Sequence, residues 1–379
     1  MESNINAVLK EMVILIDKRR SELLRLNAID IANCDRSDQS LFDRLHIDDK
    51  KVDGMIDSLQ QVVAKPSPVH KTLYSHQHDN GISITNKTVP FGTIMIIYES
   101  RPDVTVEATA TALKSGNKII LKGGKEAINS NLYLHQCWLD ALDVVGISQD
   151  RIRYLNLDRT ALQQFLKSPD CDIDLIIPRG GERLIEYVKS VAQCPVLVSG
   201  RGNNFLYVAQ SADLEMAKKI IIQSKVSKIS ACNALDKVLI DARVSDAFVS
   251  ELKHELTNQE VEIVGSPTEN IWNEEFLEMK IVVEKVQHLR QAIDYINQYS
   301  GKHSASIISQ DEAEVDTFMQ EVDCAAVYHN ASTRFTDGYQ FGLGAEMAIS
   351  TEKLHHRGPL GLEELVTNKW YIKGNGQTR

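Results

Sequence analysis

Thr93-Ile94-Met95-Ile96-Ile97-Tyr98-Glu99-Ser100-Arg101-Pro102-Asp103 is the stretch on which the fold turns. Its first six residues are a continuous apolar run, the pattern of a strand covered on both faces rather than one. Pro102 suits the first turn of a helix and Asp103 its N-terminus, and Ala108, Ala110, Ala112 and Leu113 carry that helix to a stop at Ser115-Gly116-Asn117. Lys118-Ile119-Ile120-Leu121-Lys122 is a second buried strand, followed by Gly123-Gly124 and a helix to about residue 142. Strand, helix and strand in this order form the repeating unit of a parallel sheet.

The unit recurs outward in both directions. Downstream come strand-like residues 151–155, a short helix at 160–166, a third buried strand at 173–177 ending in Pro178-Arg179-Gly180-Gly181, and a helix over 182–192. Beyond a helix at 213–225, strands are expected at 237–241, 261–264, 280–283, 305–308 and 325–328, with helices at 245–256 and 289–299 between them. Upstream, residues 5–33 and 48–63 have helical periodicity, Pro66 and Pro68 end the second segment, and 81–89 alternates like a strand. The pattern predicts an α/β fold with two doubly wound α/β domains, divided as residues 1–225 and 226–346. Residues 347–379 form a return segment. The strands at 74–91 and 369–373 form a small strand-rich element, exposed enough to pair between subunits of a homo-oligomer.

Composition narrows the function. A formal net charge of −10 in 379 residues argues against nucleic acid and anionic membranes as partners. No run of 18 uncharged apolar residues suits a membrane span, and Lys10, Glu11, Asp17 and Lys18-Arg19-Arg20 break any signal-peptide pattern, so a cytoplasmic enzyme is expected. Cys34, Cys137, Cys171, Cys194, Cys232 and Cys324 are scattered without a C-x-x-C pair, which argues against both zinc and a disulfide framework. The adjacent His355-His356 point different ways, and no metal site is expected.

Chemistry concentrates in Ser227-Lys228-Ile229-Ser230-Ala231-Cys232-Asn233-Ala234-Leu235, at the seam between the two domains. Small neighbours leave room for a carbonyl to reach the sulfur of Cys232 and the adjoining backbone N–H groups, so a thiolate there would be a nucleophile. Burial as a small core residue is the other reading. Lys122-Gly123-Gly124 and Arg179-Gly180-Gly181 end strands in bare glycine turns that open helices, a geometry suited to phosphates, or needed by the turn alone. Neither fits G-x-G-x-x-G. Arg101, Arg201, Arg334 and Arg357 lie in loops, as anion clamps or as solvated surface.

Taken together, Tyr98-Glu99-Ser100-Arg101-Pro102-Asp103-Val104-Thr105, Leu113-Lys114-Ser115-Gly116-Asn117, Lys122-Gly123-Gly124-Lys125-Glu126-Ala127-Ile128, Asp174-Leu175-Ile176-Ile177-Pro178-Arg179-Gly180-Gly181, Cys232-Asn233-Ala234-Leu235, Gly342-Leu343-Gly344-Ala345-Glu346 and Arg357-Gly358-Pro359 run in one order. In that order the chain resembles the gamma-glutamyl phosphate reductases of the aldehyde dehydrogenase superfamily. The resemblance implies a dinucleotide-binding domain, a catalytic domain and an oligomerisation element. It also implies NADPH-dependent reduction of L-glutamyl 5-phosphate in proline biosynthesis, with glutamate 5-kinase as a possible partner. Residue by residue it implies Cys232 as nucleophile and Lys122, Gly123, Gly124, Arg179, Gly180, Gly181 and Glu275 at the cofactor. Arg101, Asn233 and Arg357 are implied at the substrate. Residues 198–204 contain no Asp or Glu, as suits a thioester that is reduced rather than hydrolysed. Departures from the family pattern fall at Asp103, at Asn204-Phe205 in place of Cys-His, and at Lys228-Ile229-Ser230-Ala231, the expected surroundings of the substrate. A different acyl donor, or a member without turnover, are the alternative readings.

Overall fold

The apolar run Thr93–Tyr98 forms a strand buried from Ile94 onward in the computed structural model of the protein, which describes residues 2–34, 39–265 and 268–379. The strands of the first unit, numbered along the chain, are β1 (Thr72–Gln77), β2 (Ser83–Pro90), β3 (Thr93–Tyr98), β4 (Lys118–Lys122), β5 (Ile152–Tyr154) and β6 (Leu175–Arg179). Four of them form a parallel sheet in the order β5-β4-β3-β6, with Ile94 opposite both Ile119 and Leu175. Alternate residues of β3 enter different cores: Ile94, Ile96 and Tyr98 pack under the helices Glu2–Lys18, Asp49–Ala64, Asp103–Lys114 and Ile128–Val145, and Met95 and Ile97 under Arg159–Lys167 and Glu182–Val191. Two apolar faces explain why the strand shows no polar alternation.

A three-stranded antiparallel sheet accompanies it, in the order β1, β2 and the C-terminal strand Val366–Lys373. β1 is exposed along its whole length and has no periodic signal in the sequence; it is a strand because Thr72 through Gln77 pair with Lys87 back to Ser83. The single N-terminal helical pattern is two helices, Glu2–Lys18 and Arg20–Ala32, broken at Arg19.

The second unit contains β7 (Asn204–Val208), β8 (Leu235–Asp241), β9 (Glu262–Val264), β10 (Lys280–Val286), β11 (Ser304–Ile308) and β12 (Ala326–His329). They form a wholly parallel sheet in the order β12-β11-β7-β8-β10-β9. β7 again sends its residues to two cores, Phe205 and Tyr207 to one and Leu206 and Val208 to the other. The sequence reading passed over β7, and this moves the domain boundary. One unit comprises residues 1–198, 342–348 and 360–379, and the other 199–341 and 349–359. The division falls at 198 rather than 225 because β7 pairs with β8 and β11 and draws helix Leu214–Val226 with it. Among the described residues, no helix is long and apolar enough to cross a membrane, and no cluster of three or more His, Cys, Asp or Glu could hold a metal.

Candidate active site

Asp213 caps helix Leu214–Val226 by accepting from Met216 N at 3.0 Å. The helix delivers the chain to a run of turns, residues 227–234, before β8 begins at Leu235. Cys232 lies in these turns, half-buried. Its backbone is clamped from below. A methyl on Gly202 would run into the Cys232 carbonyl, so only glycine permits this approach. Asn204 Nδ2 reaches the carbonyls of Cys232 at 2.8 Å, Ala234 at 2.6 Å and Gly202 at 2.5 Å, and Asn204 Oδ1 accepts from Ser304 N at 3.1 Å.

Asn204 and Phe205, expected beside the substrate, are therefore interior residues. Both are fully buried, and Phe205 stacks on Trp272 with ring centroids 6.1 Å apart. Of the family departures near the cysteine, only Lys228-Ile229-Ser230-Ala231 reaches solvent. Asn233, expected on the substrate, is likewise turned inward. It is 4% exposed, and its Nδ2 donates to Arg334 O at 3.1 Å and Thr336 O at 2.9 Å. Thr333 Oγ1 returns a bond to the Asn233 carbonyl at 2.8 Å. Asn233 thus works as a clip that holds the 333–336 loop against the nucleophile turn.

That clip brings in Arg334, which the sequence left as one loop arginine among four. Its Nε donates to Ser227 Oγ at 3.1 Å. Burial lowers the guanidinium pKa, and attraction to Cys232 and Asp337 opposes the shift. A guanidinium near a sulfur favours the thiolate. The segment bearing Glu275 is anchored nearby: Lys237, fully buried in β8, donates to Glu274 O at 2.7 Å and to Asn203 Oδ1 at 2.9 Å. Burial pushes the Lys237 ammonium down to about 8.

In the first unit, Lys122 ends β4 and donates to Gly123 O at 2.6 Å. Burial lowers its pKa, and the carboxylate of Glu126 pulls it back. Glu126, missed by the sequence reading, accepts from Ser100 N at 2.8 Å and Ser100 Oγ at 2.7 Å, and its carboxyl fills the space where a Cβ on Gly124 would stand. A carboxylate four residues after the strand-ending lysine was the available signal. The second diglycine turn differs. The Glu99 carboxylate accepts from Gly181 N at 3.2 Å and sits where a Cβ on Gly180 would go, while Arg179 Nη1 donates to Met347 O at 2.8 Å. At Arg179, Gly180 and Gly181, expected at the cofactor, an internal carboxylate thus takes one glycine N–H and the space beside the other glycine.

Arg101 Nη2 reaches Asp103 Oδ2 at 3.3 Å. Its charge acts on Glu107, whose carboxyl is pushed up to about 8, first by burial and then by Asp103, against the pull of Arg101 and Arg179. Arg357, expected at the substrate, is committed elsewhere: its guanidinium donates to Asp323 Oδ1 at 2.7 Å and to the Asp323 carbonyl at 2.8 Å. It ties the 349–359 segment to its own unit.

Residues 5–272 match the model of the aldehyde dehydrogenase family. A gamma-glutamyl phosphate reductase of Dictyoglomus thermophilum is 39% identical over 389 residues, covering 99% of this chain and 94% of that protein. One from Enterococcus faecalis is 40% identical, covering 99% and 93%. The crystal structure of gamma-glutamyl phosphate reductase from Thermotoga maritima superposes with a TM-score of 0.93 at 38% identity, covering 100% of this chain and 95% of that one. With residues 5–272 matching the family model and gamma-glutamyl phosphate reductases at 39–40% identity covering 99% of it, the chain belongs to the aldehyde dehydrogenase family, among its gamma-glutamyl phosphate reductases.

Proposed function

We propose that the protein reduces L-glutamyl 5-phosphate to L-glutamate 5-semialdehyde with NADPH, releasing phosphate, as a step of proline biosynthesis. The nucleophile turn carries the reading. A half-buried cysteine is clamped through its backbone by Gly202 and Asn204 and has a guanidinium in electrostatic reach, and residues 198–204 below it contain no carboxylate. Hydrolytic thioester chemistry needs a base to activate water. That loop supplies no carboxylate for this, as suits a thioester that is reduced rather than hydrolysed.

The Cys232 thiolate attacks the acyl carbon and the carbon–oxygen bond to phosphate breaks, with phosphate taking the electron pair. The Cys232 backbone N–H is the proposed donor to the oxyanion. NADPH, when bound, supplies a hydride to the thioester. Collapse of the hemithioacetal returns the electron pair to the Cys232 sulfur, where Arg334 stabilises the thiolate, and frees the aldehyde. Arg101 remains the proposed contact to the glutamyl moiety.

The residues ending β4 fit a ribose. Its diol both donates and accepts, and the half-withdrawn Lys122 ammonium with the Glu126 carboxylate offers one group of each kind. Gly123 and Gly124 keep that turn free of side chains, and Glu275 is the proposed holder of the nicotinamide ribose. The Arg179 turn, filled by Glu99, is left out of the cofactor site. A homo-oligomer built through the exposed antiparallel sheet, a cytoplasmic location and transfer of substrate from glutamate 5-kinase complete the proposal.

The reverse reaction tests it. Phosphate-dependent reduction of NADP by glutamate semialdehyde is expected from the wild-type protein and is expected to vanish, by about 10⁴-fold or more, in a Cys232→Ala variant of unchanged circular dichroism. Wild-type protein inactive in this assay would refute the reading.

A further inference from the structure

Lys237 follows Cys232 by five residues and is among the largest fully buried side chains of the protein. Its hydrogen bonds go to neutral oxygens, Asn203 Oδ1 at 2.9 Å and the Glu274 carbonyl at 2.7 Å, and its ammonium lies 3.8 Å from the centroid of the Phe276 ring. The adjacent Asp236 carboxylate is bonded to Lys225 at 3.0 Å, and Asp236, Glu274 and Glu275 act on the Lys237 ammonium through their charge without a hydrogen bond to it in this network. Burying a cation against two neutral oxygens and a ring face forfeits hydration that an apolar residue of the same length never had. Stability alone does not account for a lysine here.

The segment it grips is held on both sides. Asn203 Nδ2 reaches Trp272 O at 2.6 Å, Arg201 Nη1 reaches Asn273 O at 2.9 Å, and Asp236 Oδ2 accepts from Phe276 N at 3.2 Å. With the Lys237 bond to Glu274, each residue from Trp272 to Glu274, and then Phe276, is fixed through its backbone. The anchors come from the loop under the nucleophile and from the strand that leaves it. Glu275 sits inside the fixed run.

We propose that Lys237 is a positioning residue for the cofactor: it sets the backbone of Glu274 to Phe276, and so the point at which Glu275 meets the dinucleotide. This rests on the reading of Glu275 as the ribose contact, and the test separates the two.

NADPH is titrated into wild-type protein, Lys237→Met, Glu275→Gln and the double variant, following protein fluorescence, and the rate of Cys232 alkylation by iodoacetamide is measured on each. Each single variant is expected to weaken NADPH binding about fivefold or more, and the double variant to bind no more weakly than about the worse single one. Alkylation in Lys237→Met is expected to stay within about twofold of wild type, because the Gly202 and Asn204 clamp is intact. Wild-type affinity in Lys237→Met with weakened Glu275→Gln overturns the positioning role and leaves the Glu275 reading standing. Wild-type affinity in Glu275→Gln overturns that reading and the proposal with it. Fully additive losses in the double variant also overturn it. Should Lys237→Met not fold, Phe276→Leu takes the ring from the same ammonium. NADPH binding weaker by about threefold is then expected, and an unchanged constant overturns the proposal.

Discussion

Cys232 and Arg334 show how much of a site rests on side chains distant in sequence. The sulfur was legible because small residues surround it on both sides. The guanidinium was not, because a loop arginine on an acidic chain reads as solvated surface and only the Asn233 clip brings it near. If Arg334 stabilises the thiolate, Arg334→Met is expected to slow iodoacetamide alkylation of Cys232 about tenfold at neutral pH and to shift its pH profile upward. The Cys232→Ala variant supplies the background from the other cysteines. An unshifted profile would assign Arg334 to loop structure alone. Asn233 and Arg357 teach the converse: both match the family pattern, yet Asn233 Nδ2 and both terminal nitrogens of Arg357 bond within the protein, leaving Asn233 Oδ1 and Arg357 Nε buried without a partner.

Elements add constraints that no single residue carries. β11 begins beside His303, which is fully buried, with Nδ1 2.9 Å from Ser304 Oγ and Nε2 lacking a hydrogen-bond partner. Ser304 continues to Thr336 Oγ1 at 2.6 Å, and Thr336 to the Tyr328 hydroxyl at 2.7 Å, so this strand start supports the loop that holds Asn233. Burial lowers His303 from 6.5 to about 4. Below pH 6.5 the unfolded chain binds a proton that the folded one refuses, so stability is full above that value and falls as pH drops toward 4. Urea unfolding at pH 7 and pH 4.5 should show a loss of about 2 to 3 kcal/mol attributable to this site, and His303→Asn should flatten that part of the profile. An equal slope in the variant would assign the acid sensitivity to other groups. β7 is the element the sequence hid: a glycine-rich loop runs straight into it, and its four apolar residues alternate between two cores.

At the scale of the whole molecule, the antiparallel sheet leaves apolar side chains exposed on two of its three strands. Leu73, Tyr74, Trp370 and Ile372 are exposed on β1 and the C-terminal strand, and Tyr74 meets Trp370 edge-on at 5.7 Å. Apolar strand surface of this kind pairs with another copy or aggregates. Ile372→Lys together with Trp370→Lys should lower the mass found by light scattering, leaving the far-ultraviolet circular dichroism unchanged. An unchanged mass would rule this sheet out as the interface. The parallel α/β class, the cysteine and the lysine ending β4 were set by the sequence alone, since buried runs, helical periodicity and turn residues record the local burial of each segment. Tertiary structure alone decided that β7 belongs to the second sheet, that Glu99 occupies the Arg179 turn, that Asn204 holds the Cys232 backbone, that the Asn233 clip brings Arg334 to the same turn, and that Lys237 bonds the Glu274 carbonyl beside Glu275. Those pairings arise from strand register and loop closure between residues up to about a hundred positions apart, and no local pattern encodes them.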